Sequence, residues 1–102
     1  MRYFFFKLSP PRTNFAVQRT PEEQRLMQEH VQYWSGLLAR GIAVAFGPVL
    51  EPTCVYGVCI VRLDEGMDPQ LIAADDPTIK ANVGFRFDIF PMPNAMHIPI
   101  AG

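Results

Sequence analysis

The 102-residue sequence predicts an α+β domain with the element order β-α-β-β-α-β and both helices on one face of a four-stranded antiparallel sheet. Three observations carry that prediction. Strand and helix patterns alternate in that order along the chain. One helix is long, capped and amphipathic. The strands are apolar at consecutive positions, more than helices on a single face account for.

Tyr3 to Lys7 is a dense aromatic run that Ser9-Pro10-Pro11 stops too early for a helix, so it reads as a strand buried on both faces. Pro10 to Arg19, polar around the single Phe15, is a loop long enough to carry function or cover a pocket. Thr20-Pro21-Glu22-Glu23 then opens a helix. Thr20 accepts from the first free amides, Pro21 suits the first helical position and Glu23 completes a capping box. Gly41 stops this helix after Arg40. At about 100° per residue, Tyr33, Leu26, Leu37, His30, Trp34, Met27, Leu38 and Val31 share an apolar arc of about 160°, with His30 near its middle. Ile42 to Phe46 reads as a second strand ended by Gly47-Pro48, and Val55 to Leu63 as a third. Asp68-Pro69 starts a short helix through Ala74, and Pro77 disfavours helical backbone at Asp76, so the helix ends or kinks there. After a small helical or turn segment comes the last strand, Gly84 to Phe90. It sets Phe85, Phe87 and Ile89 on one face against Arg86, Asp88 and Phe90 on the other.

This order is the ferredoxin-like arrangement, in which helices cover one face of the sheet. The second face also asks for burial, and the same face of another subunit is the expected cover, giving a homodimer built as a dimeric α+β barrel. A chain this short buries only about 60 to 65% of its unfolded surface, so a partner enlarges an otherwise thin core.

Composition narrows the function. Hydrophobic residues make up 49% and charged residues 19%, which suits one domain over residues 1–102, with a core of about 3–93 and a tail of 94–102. Nine Lys and Arg against ten Asp and Glu, with no basic run, argue against nucleic acid as a partner. Cys54 and Cys59 lack the histidines of a zinc site and are too few for a disulfide scaffold, so both read as thiols. The aromatic N-terminus breaks at Lys7, short of a signal sequence, and no run approaches the roughly 20 apolar residues of a membrane span. A cytoplasmic protein without membrane contact is expected. Phosphate loops, nucleophile elbows and zinc-protease motifs are missing, so no cofactor and no metal are expected.

His30 is the sharpest chemical signal, because an imidazole on an apolar helix face needs a polar partner or carries a desolvation cost of about 1 to 3 kcal/mol. It reads either as a hydrogen-bonded core histidine or as a general base. Asp75 and Asp76 are its candidate partners, able to fix its tautomer and stabilise an imidazolium, although an Asp before Pro is also a common turn residue. Trp34, Phe46 and Tyr56 are candidates for an aromatic pocket, or else core. Gly47-Pro48 reads as a turn and Gly57 as a bulge or close backbone approach. His97, in the Pro-rich tail, is the remaining histidine, and a metal site of His30, Asp76 and His97 is the weakest reading.

Pro10-Pro11 with Phe15, then Thr20, Glu23, Met27, His30, Trp34, Gly41, Gly47-Pro48-Val49, Tyr56-Gly57, Asp76-Pro77 and the Phe-rich strand before Pro91 together resemble the YCII-related (YciI-like) family, over about Tyr3 to Pro93. The resemblance implies a ferredoxin-like subunit paired into a dimeric α+β barrel, with a histidine and an aspartate as the active-site pair. By motif these fall on His30 and Asp76, although Asp75 duplicates the acid. One family member is a dehydrochlorinase acting on a chlorinated hydroxyhydroquinone, and muconolactone isomerases share the barrel. The implied function is a cofactor-independent lyase or isomerase, of unassigned substrate, that moves a proton on a small cyclic or aromatic molecule. The alternative is a non-catalytic small-molecule binder or accessory dimer.

Overall fold

The computed structural model describes residues 1–100. The last two residues of the expected tail lie outside the described residues. The elements are β1 (Arg2–Ser9), α1 (Pro21–Ala39), β2 (Ala43–Val49), β3 (Tyr56–Leu63), α2 (Pro69–Ala74), α3 (Pro77–Lys80) and β4 (Arg86–Met92). They form one four-stranded sheet in the order β2-β3-β1-β4, with every neighbouring pair antiparallel. This is the expected α+β, ferredoxin-like arrangement. The second helical region is cut in two where Pro77 holds Asp76 in extended backbone, ψ 130°.

The capping box at the start of α1 forms as its chemistry requires: Thr20 Oγ1 accepts from the Glu23 amide and Glu23 Oε1 accepts from the Thr20 amide. The helix buries a narrower stripe than its apolar arc. Leu26, Leu37, His30 and Trp34 are buried, spanning about 80° of the helix circumference and centred on His30. Val31 and Leu38, at the far edge of the arc, are 48% and 45% exposed. The buried stripe meets Phe6, Cys59, Val61 and Leu63 of β1 and β3. Trp34 sits at the centre, with its ring 5.7 Å from Phe6, 6.2 Å from Phe87 and 6.4 Å from Phe46.

Gly47-Pro48, expected to end the second strand, instead lies inside β2, where Gly47 pairs with Val58 and Pro48 with Gly57. Likewise β4 begins two residues later than expected and runs through Pro91. Both strands are sheet edges, so a proline without an amide hydrogen costs no ladder bond if it faces outward. Gly57 marks a close backbone approach, since a Cβ there would lie 3.3 Å from the Leu8 Cβ.

The pleat sends Phe6 and Leu8 toward the helices, 0% and 3% exposed. Tyr3, Phe5 and Lys7 point the other way. On that second face Phe5 lies between Ile60 and Phe90, no helix among the described residues covers the row, and Phe90 is 52% exposed. Past β4 the chain brings the His97 Nε2 within 3.1 Å of the Tyr3 hydroxyl. No helix among the described residues is long and apolar enough to cross a membrane.

Candidate active site

His30 projects from the middle of α1 onto Asp76, the residue that caps the N-terminus of α3. The Asp76 carboxylate is fully buried and takes four hydrogen bonds. Oδ1 accepts from the Thr78 amide and the Thr78 hydroxyl, both at 2.8 Å. Oδ2 accepts from the Trp34 indole N–H at 2.7 Å and from His30 Nδ1 at 2.6 Å. An ionised carboxylate only accepts, so its bond to His30 requires the proton on Nδ1. The other ring nitrogen, Nε2, has no hydrogen-bond partner among the described residues and is not sealed from solvent.

Two opposed influences set the acidity of Asp76. Burial, the largest, pushes its pKa up. The hydrogen bond and electrostatic attraction from His30, with the Thr78 amide and the Trp34 indole, together outweigh burial and hold the group below the ordinary carboxylate range. Neighbouring groups do not compete as bases or nucleophiles. Burial, with the charges of Asp75 and Asp76, pushes Tyr33 up to about 12, and its hydroxyl donates to the Ile72 carbonyl at 2.8 Å. Burial and then the Asp76 charge push the Cys59 thiol far up as well, leaving it protonated and inert.

His30 opens onto a cavity of about 250 Å³. Met27, His30 and Val31 of α1 form one wall, and Phe46, Gly47 and Pro48 of β2 another. Leu8, Tyr56 and Gly57 close the sheet side, and Phe85 closes the end. The roof is the loop after β1, which contributes Pro10, Phe15, Ala16 and Arg19. Phe15 is 4% exposed, stacked edge-on at 5.1 Å against Phe85, with the Arg12 and Arg19 guanidinium groups 5.5 and 5.0 Å from its ring centre. Arg12 ties the roof to α1 through two bonds to Glu23, at 2.7 and 2.8 Å, and braces the loop itself by a bond to the Gln18 carbonyl. That pairing, with the Thr20 amide, brings Glu23 down to about 2.

The expected site residues divide clearly. His30 and Asp76 come together, and Phe46 and Tyr56 border the cavity. Trp34, expected among the substrate contacts, does not reach the cavity. It is fully buried, and its indole holds Asp76. Asp75, the duplicate acid, caps the end of α2, is exposed and borders a separate shallow cleft with Tyr33 and Arg40. The extended backbone imposed by Pro77 turns Asp76 inward while Asp75 remains in the last helical turn. His97 bonds Tyr3 near the start of β1, whereas the cavity lies at the strand's other end, so His97 does not join His30 and Asp76. No group of three or more His, Cys, Asp and Glu side chains able to hold a metal ion is found among the described residues.

Sequence reasoning missed the Trp34 bond to Asp76 and the place of Arg19. The spacing of Trp34, one helical turn after His30, puts both on one face and was the available signal for the first. For the roof, the signal was a lone large apolar residue, Phe15, in an otherwise polar loop.

No curated protein matches the chain. Residues 1–93, nearly its whole length, match the YCII-related domain, and the chain belongs to that family.

Proposed function

We propose that this protein is a cofactor-independent lyase or isomerase in which His30 is the general base. The carrying observation is the saturated Asp76 carboxylate: it holds the Nδ1 proton and so presents the Nε2 lone pair toward an apolar cavity. Nε2 removes a proton from a small cyclic or aromatic molecule with an acidic C–H or O–H. The electron pair released either expels a leaving group on the adjacent carbon or shifts a double bond. The imidazolium then returns the proton to the leaving group or to the new carbon terminus. Asp76 stabilises the imidazolium, Trp34 and Thr78 keep Asp76 in place, and the apolar walls exclude water. The family resemblance implies dehydrochlorinase-like chemistry of this kind.

The working molecule in this reading is a cytoplasmic homodimer, its two chains joined through the open sheet face around Phe5, Ile60 and Phe90. The test is deuterium incorporation or product formation when chlorinated quinols and unsaturated lactones are incubated with the protein in D2O. Wild type is expected to convert or label at least one of them. His30→Gln is expected to lose at least about a hundredfold in rate with its thermal stability largely kept. Equal conversion by the two proteins overturns the reading. Compounds that stabilise the wild type yet return unchanged and unlabelled mark a binding protein instead.

A further inference from the structure

We infer that the ligand of this cavity is a small organic carboxylate, and that Arg19 is the residue that selects it. The inference rests on the reading of the cavity as the functional site and adds the chemical class of its occupant. Two arginines flank Phe15 in the roof, with different employment. Arg12 is committed to Glu23 by two short bonds, so its charge is already answered. Arg19, exposed to solvent, lies 5.0 Å from the centre of the Phe15 ring, borders the cavity, and has no carboxylate within ion-pairing distance among the described residues. Among the described residues no acidic side chain lines the cavity, and Asp76 is screened behind His30 and fully bonded.

The result is an apolar hollow with one unanswered guanidinium at its edge and one bare imidazole nitrogen in its wall. A guanidinium fork matches a carboxylate in charge and in geometry. A phosphate dianion would want further donors. The start of α1, the obvious source, is already closed by Thr20 and Glu23. A carboxylate on Arg19 would leave the unsaturated or ring portion of the molecule among Met27, Phe46 and Val55.

The experiment compares benzoate with benzamide, which share a ring and differ in charge. Binding is measured by calorimetry, with the His30 ring resonances followed in NMR. Wild type is expected to prefer benzoate by at least about tenfold, the worth of one charge-assisted pair. Arg19→Gln is expected to erase that preference by weakening benzoate at least about tenfold, and Arg19→Lys to restore part of it. His30→Gln is expected to retain the preference, which separates Arg19 from a charged imidazole as its source. Equal affinity for the two probes in wild type, or an undiminished preference in Arg19→Gln, overturns the carboxylate assignment. In that case benzamide still shifting the His30 resonances leaves the cavity as the site. Failure of both probes to bind or to shift His30 overturns the assignment and the reading of the cavity together.

Discussion

Four donors on one buried carboxylate leave Asp76 little freedom, and the chemistry of His30 follows from that restriction. Replacing Asp76 by Asn keeps the shape but supplies an N–H where only acceptors fit. Asp76→Asn is expected to cost about 2 kcal/mol at neutral pH by urea unfolding. The pH dependence has a definite sign. Asp76 is more acidic in the folded protein than in the unfolded chain, so its contribution is complete above the ordinary carboxylate pKa of about 4 and disappears as pH falls through the lower folded value. The gap between wild type and Asp76→Asn is therefore expected to close below about pH 4; a gap that stays constant to pH 2 would contradict it. His30 was legible in the sequence because an imidazole in an apolar stripe has to be answered. The choice between Asp75 and Asp76 was open to residue patterns alone, since both precede or adjoin Pro77 and only the chain direction after the proline separates them.

Among the elements, the long helix was readable nearly to the residue, because its start is written in the side chains of Thr20, Pro21 and Glu23. The strands were less so. Gly47-Pro48 resembles a terminator, and only the strand order, which places β2 at an edge, shows why the strand passes through it. The loop over the cavity depends on tertiary contacts that no local pattern reports. Gly84 has φ +105°, and a Cβ there would meet the Pro11 Cβ at 2.9 Å, so its lack of a side chain seats the loop. Gly84→Ala is expected to destabilise the fold by about 1 to 3 kcal/mol and to speed amide exchange across the roof around Phe15. Gly47→Ala, which meets nothing within 4 Å, is the control and is expected to change stability by less than about 1 kcal/mol. Equal effects of the two substitutions would contradict this account of the loop.

At the scale of the whole molecule, one chain covers one face of its sheet. The aromatic run in β1 was readable as wanting burial on both sides, and the pleat divides it: Phe6 and Leu8 face the helices, while Tyr3 and Phe5 face outward with Ile60 and Phe90. If a second copy covers that face, the protein sediments at twice its 11.5 kDa chain mass, and Ile60→Glu, which puts a charge between Phe5 and Ala45, returns it to a single chain. A wild type that sediments as one chain at micromolar concentration would contradict the proposed pairing. The functional account, in contrast, rests on the protonation pattern of one ring. The most direct measurement is the two-bond 15N–1H spectrum of histidine-labelled protein at pH 8, with and without benzamide. The account predicts that His30 carries its proton on Nδ1, shifted downfield by Asp76, with Nε2 bare and moved by the added ligand. A proton on Nε2, or an Nε2 signal unmoved while benzamide is bound, would contradict it.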